Sequence, residues 1–395
     1  MVYKFCCYID ELLNVDYAEN FVDLVALGMI ADMMDMRDFE TKHLINVGLE
    51  NVRNPYFSAM VKKNEFSLGT NLTPIGIAFY VAPYVNATIR MGDQDEKLIL
   101  FESMLDFRAY EQIPSTKRGC RGQMETRAEQ SCRNSANIKS RQTKARDSAL
   151  EKIEAIIKNN NLLDNKILTI KLDKTYCVDK NLTGLIANQL MSKYQRPVLL
   201  LNQTQDGWEG SGRGYDKSKF DNLREFLNYS GLVMYAEGHA NALGVGIKDE
   251  LFTEFVSYSN NELADFDFSP CYKVDFIFNA NNFNGKDIIE IAELKGIWGQ
   301  GIDEPYIALE DVKISKNNIT LMSPDKNPTL KITLPNKTSL IKFKSSQEEY
   351  DSLCSEGCIT INVIGRCERN MWNGVVTPQI IVEDYEIVNK VEYYF

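Results

Sequence analysis

Four short segments of this chain gather residue types that handle phosphates or divalent cations. Asp32 ends the apolar run Leu24-Val25-Ala26-Leu27-Gly28-Met29-Ile30-Ala31, which reads as a strand buried on both faces of a parallel sheet. A carboxylate at the end of such a strand sits where open α/β sheets place ligands and is suited to hold Mg or Mn beside a phosphodiester; capping a following helix is the competing use. Asn86 and Arg90 lie four apart, on one helical face, where an amide and a guanidinium fork can share a phosphate; a buried salt bridge is the alternative. Gly210-Ser211-Gly212-Arg213-Gly214 reads as a turn with bared N–H groups, a hydroxyl and a guanidinium, the parts of an anion nest. Downstream, Gly238 permits close approach and His239 can donate to a phosphate or serve as a satisfied core histidine.

A further cationic element lies between these segments. From Ser115 to Arg146 stand Lys117, Arg118, Arg121, Arg127, Arg133, Lys139, Arg141, Lys144 and Arg146, against Glu125 and Glu129. Few apolar residues interrupt the run, so it is expected to be a solvent-bridging helix, either a plain connector or a phosphate-binding wall. Near the C-terminus, Trp372 precedes Asn373-Gly374, a two-residue hairpin signal. At such a tip Trp372 would either stack on a base or pack against its own domain.

The elements that must position these residues follow from periodicity. Val2, Phe5, Cys6, Ile9, Leu12 and Leu13 repeat at helical spacing with no capping residue ahead of them. An uncapped helix followed by one apolar strand with no sheet to join suggests that residues 1–112 are the tail of a larger α/β domain. Residues 113–158 form the basic connector. In 159–300, short apolar strands at 166–172, 198–201 and 232–235 alternate with a helix at 182–194, a second α/β domain. Residues 301–395 turn to short β-rich runs, as in a five-stranded barrel of the OB type.

With 395 residues, 44% of them hydrophobic and 25% charged, two or three soluble domains are expected. The net charge of −11 excludes indiscriminate polyanion binding and confines any nucleic-acid site to a local basic patch. Nine cysteines without paired CxxC spacing read as reduced thiols of a cytoplasmic protein, and Cys354, Cys358 and Cys367, which lack a fourth zinc ligand, as buried structural thiols. No apolar run is long enough for a membrane span.

In order, Met29-Ile30-Ala31-Asp32, the run from Pro83 to Arg90, Gly210 to Gly214 and Gly238-His239-Ala240-Asn241-Ala242 resemble the later motifs of RecJ-like single-strand exonucleases of the DHH phosphoesterase superfamily. Thr183-Gly184-Leu185-Ile186-Ala187 and Tyr194-Gln195-Arg196-Pro197 resemble the framework of that superfamily's associated domain, and the stretch from Asn370 to Tyr385 resembles the end of the RecJ OB domain. The resemblance implies an α/β plus all-β chain: the C-terminal part of a Rossmann-like DHH domain, a connecting helix, a DHH-associated α/β domain and a C-terminal OB-type barrel. It implies 5′-to-3′ hydrolysis of single-stranded DNA with Mn or Mg, in DNA repair and recombination. Asp32 would be the catalytic metal ligand, with Asn86, Arg90, Ser211, Arg213, Gly238, His239 and Trp372 along the DNA, joined by Arg118 and Arg121 if the basic connector is a phosphate wall. Yet His43 and His239 are the sole histidines and no Asp-His-His run occurs, so a two-metal centre cannot be assembled from this chain alone. Three expectations follow: an exonuclease portion whose separate N-terminal fragment supplies the missing ligands, a non-catalytic single-strand-binding remnant, or a small-oligonucleotide phosphodiesterase, against which the barrel argues.

Overall fold

The computed structural model describes all residues except 70, 121, 355, 356 and 391–395. It divides into two compact units, residues 1–83 with 272–395 and residues 84–271.

The first 83 residues are helical: α1 (Val2–Leu13), α2 (Val22–Ala31), α3 (Phe39–Glu50), α4 (Pro55–Lys63), α5 (Glu65–Leu68) and α6 (Pro74–Tyr80). The strand expected at 24–31 is therefore a helix. A continuous apolar run has no periodicity by which to tell the two apart, and what decides here is packing. Val22, Ala26 and Ile30, with Asp23 and Leu27, form a buried helical stripe. The backbone of α3 comes close at Gly48, where a Cβ would stand 2.5 Å from Val22 O and 2.6 Å from Ala26 Cβ. The buried Asp23 carboxylate accepts from the amides of Arg53 (2.8 Å) and Asn54 (2.6 Å), tying α2 to the start of α4. α1 is a helix as its periodicity predicts, yet none of its residues is buried.

The second unit starts with α7 (Ala82–Met91, entering from the preceding unit), α8 (Gln94–Glu102) and α9 (Asp106–Ala109). A short antiparallel hairpin follows, β1 (Gln112–Pro114) and β2 (Met124–Thr126), then the long α10 (Arg127–Asn159). The basic stretch is thus not one helix from Ser115. Thr126 and Glu129 form a capping box that starts α10 only at Arg127. Nor is α10 fully solvated: Ala128, Ser131, Cys132, Ser135, Ile138 and Gln142 line a buried stripe that Leu150, Ile153 and Ile157 continue.

Next come β3 (Leu168–Leu172), α11 (Lys180–Tyr194), β4 (Val198–Gln203), β5 (Trp208–Arg213), α12 (Leu223–Ser230), β6 (Tyr235–Gly238), β7 (Ala242–Ile247) and α13 (Phe252–Glu262). The sheet runs β3-β4-β5-β7-β6, with β3 and β4 parallel across the α11 crossover and the other pairs antiparallel. Alternation along β4 feeds two cores: Val198 and Leu200 join residues of α10 and α11, while Leu199 and Leu201 join Leu223, Leu227 and Phe255.

The first unit resumes with β8 (Val274–Asn279), α14 (Gly285–Glu293), β9 (Tyr306–Ile314), β10 (Ile319–Met322), β11 (Thr329–Thr333), β12 (Ser339–Lys342), α15 (Gln347–Cys354), β13 (Ile359–Trp372) and β14 (Val375–Lys390). In place of five strands, the described residues form a seven-stranded mixed sheet in the order β10-β11-β12-β14-β13-β9-β8. β8 pairs in parallel with β9 and extends the sheet beyond the five-stranded pattern. The Asn373-Gly374 signal holds: both residues have positive φ, 50° and 77°, and join β13 to β14 in a two-residue turn.

The described cysteines are free thiols. Among the described residues, no helix is long and apolar enough to cross a membrane.

Candidate nucleic-acid interface

The segment 210–214 is not a turn. Residues 210–213 are the last two-thirds of β5, paired with β4 on one side and β7 on the other, and the Gly214 amide donates to Asn241 O (3.0 Å). The N–H groups of an anion nest are therefore engaged in the sheet. Gly210 is needed for close strand packing, since a Cβ there would stand 2.0 Å from Leu200 O. What the strand presents instead is a pair of side chains on one face. The Thr183 hydroxyl donates to Lys180 O (2.9 Å), so across the 2.9 Å contact between the hydroxyls it is Ser211 that donates to Thr183. Arg213, two residues on, reaches under α11 at Gly184, where a Cβ would stand 2.5 Å from its Nη2.

The Arg213 guanidinium is half-buried and donates to Gly212 O (2.7 Å). No carboxylate lies within ion-pair distance of it among the described residues. Asp216, three residues along, hydrogen-bonds Asn241 instead. Burial first, then the nearby positive charge of Arg90, pulls the Arg213 proton affinity down. Arg90 lies in the last turn of α7 and is exposed, with half-buried Asn86 one turn before it. Its charge also reaches Lys139 on α10. Lys139 is half-buried and bonded to Gln142 Oε1 (2.8 Å), and its ammonium is disfavoured by burial, by Arg146 and by Arg90. Arg90 on α7 thus lies near both Arg213 on β5 and Lys139 on α10. Of these four cations, Arg146 alone is paired among the described residues, with Asp147 at 2.7 Å.

β7 begins opposite Arg213, at Ala242, which brings the β6–β7 turn to the same end of the sheet. Gly238 there has φ 130°, a conformation side chains rarely adopt, and a Cβ would stand 2.8 Å from Ala242 O. The His239 amide donates to Ala242 O (2.9 Å) and its ring is exposed. Arg224 Nη1 (2.5 Å to Gly238 O) and the Asn241 side chain, bonded to Leu223 N and Asp221 O, hold the turn. An exposed ring excludes the core-histidine alternative.

The remaining expected residues fall elsewhere. Arg118 is at the exposed tip of the β1–β2 hairpin, and Arg121 lies outside the described residues. Much of the basic connector is internally compensated: Arg127 pairs with Glu102 (2.9 Å) and Glu111 (2.7 Å), Arg133 with Glu125, and Arg141 with Glu96 (2.8 Å). The backbone of Trp372 ends β13, and its side chain lies outside the described residues. Asp32 is the exposed C-cap of α2, and Asp38, not Asp32, caps the next helix. That position adds a negative charge to the negative end of a helix dipole. No group of three His, Cys, Asp or Glu suited to a metal ion occurs among the described residues, so Asp32 stands without fellow ligands.

Sequence reasoning does not single out Lys139, Arg146, Thr183 or Gly184 for the site. Lys139 and Arg146 are visible only as members of a charge run, and nothing in the sequence shows which members lack a carboxylate.

An α/β unit with a glycine-rich inner strand, and a large mixed sheet in the other unit, define a class of chain that comparison with known proteins identifies. Residues 264–384 match the family model described as the RecJ OB domain. The crystal structure of RecJ in complex with Mg2+ from Thermus thermophilus superposes with a TM-score of 0.66 at 17% identity, over 97% of this chain and 55% of that one. At that identity the likeness concerns the fold alone. The putative SPbeta prophage-derived single-strand DNA-specific exonuclease YorK of Bacillus subtilis is 35% identical over 98% of this chain and 68% of its own length. The single-stranded-DNA-specific exonuclease RecJ of the same organism is 22% identical, over 93% of this chain and 44% of its own length. The chain belongs to the RecJ-like family of single-strand-DNA-specific exonucleases.

Proposed function

We propose that this chain is the substrate-holding portion of a RecJ-type exonuclease, gripping single-stranded DNA by its phosphates while the hydrolytic metals are held by additional polypeptide. The observation that carries this reading is the half-buried Arg213 guanidinium, desolvated without a carboxylate and flanked by Arg90, which in turn lies near Lys139. A buried cation with no counter-charge is costly. A phosphodiester entering the site would supply that charge and accept bidentately from the fork. Ser211, His239 and Asn86 would add hydrogen bonds around the same phosphates.

The described residues do not fit a two-metal centre, because no group of three metal-binding side chains gathers at Asp32 among them. RecJ from Thermus thermophilus has been crystallised with Mg2+ and with Mn2+. For this chain, a divalent metal at Asp32 calls for ligands from polypeptide equivalent to the third of the YorK relative that the chain does not span. Asp32 lines an apolar hollow with Val2, Cys6, Leu24, Met29 and Met34, which supports the packing of further chain at that place.

The test is binding of a labelled single-stranded oligonucleotide in EDTA. Metal-free binding is expected, with affinity falling as salt rises by a log–log slope of roughly −0.7 per phosphate contact. Arg213→Ala should weaken it by about 1.5–3 kcal/mol, the range for hydrogen bonds to charged groups, and flatten the slope by about one contact. Salt-independent binding, or an Arg213→Ala protein that binds like the parent, overturns the reading.

A further inference from the structure

The β1–β2 hairpin shows a contrast within the basic stretch. At its base the arginines are engaged. Arg127 donates its amide to Glu111 O (3.0 Å) and pairs with the Glu111 carboxylate, while Arg133 grips Glu125 and donates to Thr116 Oγ1 (2.9 Å). The hairpin is thereby fixed to the first two turns of α10. At its tip the opposite holds. Lys117 and Arg118 are exposed, and neither has a carboxylate within ion-pair distance among the described residues.

The tip is also held in shape. The Ser115 amide donates to Gln123 O (2.9 Å), closing the ladder above β1 and β2. Beyond it Cys120 N donates to Lys117 O (3.0 Å), closing a turn, and Gln123 N donates to Cys120 O (3.1 Å). Gly119 (φ 84°) takes the third position of the first turn, where type II geometry needs positive φ, and Gly122 likewise has positive φ (82°). A Cβ on either would meet nothing within 4 Å, so these glycines serve conformation and not space. Arg118 directly precedes Gly119 and occupies the apex of the Lys117–Cys120 turn.

We propose that this hairpin is a second phosphate contact, a rigid finger that presents Lys117 and Arg118 to the backbone of single-stranded DNA apart from the Arg213 site. In a chain of net charge −11, cations left unpaired on a braced projection suit a polyanion, whereas the paired arginines behind them have spent their charge on structure. Backbone phosphates are the matching chemistry because each cation engaged releases a counterion and requires no base sequence. The inference rests on the single-strand-binding reading above.

The experiment measures salt-dependent affinity of the full chain for an oligothymidine by fluorescence anisotropy. The double variant Lys117→Ala/Arg118→Ala should lose affinity on the order of tenfold near 0.1 M salt and flatten the log–log slope by roughly 1.4, two contacts' worth. Arg141→Ala, which removes a cation already paired with Glu96, should leave the slope unchanged. Gly119→Ala keeps both charges but strains the turn, and should lower affinity by less than the double variant does. If the double variant binds with the parent's slope and affinity while Arg213→Ala does not, the hairpin proposal is wrong and the binding reading stands. If Arg213→Ala also binds like the parent, or the parent fails to bind, both are overturned.

Discussion

The helix ending at Asp32 and the strand ending at Arg213 each bring a charged side chain to the end of an element, but the two ends are finished differently. Around Arg213 the chain has built a setting. α11 gives room at Gly184, Thr183 accepts from Ser211, and Arg90 adds charge of the same sign. Around Asp32 there is an exposed carboxylate, outside any group of three metal-binding side chains among the described residues, at the unfavourable end of a helix dipole, beside an apolar hollow and an α1 with no buried residue. On the proposed reading, recognition of a phosphate needs only local groups, which Arg213, Ser211 and Arg90 would supply. Hydrolysis with divalent metals needs several ligands converging, and a single carboxylate cannot do this.

The largest test of that difference is catalytic. With Mn present and a 5′-labelled single-stranded substrate, the purified chain should release nucleotides at the background rate, even at concentrations that saturate binding. Robust metal-dependent degradation would show that ligands converge at Asp32 after all, and the contrast between the two ends would collapse.

A finer test changes the setting of Arg213 without touching its charge. Gly184→Ala puts a methyl where the guanidinium now lies, 2.5 Å from Nη2. Because the clash is with the end of a flexible side chain, the helix should fold normally and the arginine should swing away. Affinity for single-stranded DNA should fall about three- to tenfold, less than on removing the arginine, since roughly 1 kcal/mol of hydrogen bonding is lost while the charge stays. Unchanged affinity with an unchanged melting temperature would mean that α11 does not position the site.

How far the sequence foretells these regions differs in the same way. The α/β alternation around 166–201 and the Asn373-Gly374 turn are legible because each depends on local residue type or strong patterning. The run at 24–31 reads as a strand yet folds as a helix because burial on α3 through Gly48 is a tertiary fact. Segment 210–214 reads as a turn because glycines that permit close strand packing look, in sequence, like glycines that free a turn. Thr126 and Glu129 do carry the signal for the true start of α10, and the charge run around them obscures it. Which basic residues stay unpaired is not legible at all, since carboxylates at Glu96, Glu102 and Glu111 come to the arginines through folding.

The smallest effect concerns the bracing between those paired arginines and the hairpin. The Arg133 fork, with lesser help from Thr116 and Ser115, holds the Glu125 carboxyl below the usual carboxylate range. Its proton affinity is therefore lower in the folded hairpin than in the unfolded chain. The pair's contribution is complete above the ordinary glutamate range and is lost as pH falls through the depressed folded value. Amide exchange at Ser115 and Gln123, whose bonds close the tip, should consequently quicken under acid before the five-stranded sheet loosens. Glu125→Gln should reproduce that quickening at neutral pH, costing the hairpin about 1–2 kcal/mol of local stability, and should remove its acid dependence. DNA affinity should then fall slightly with the salt slope retained, because the cations at Lys117 and Arg118 remain but are less well held. A Glu125→Gln hairpin as protected as the parent's would show that the turns alone brace the tip, and that the arginines behind it contribute neither charge nor order to binding.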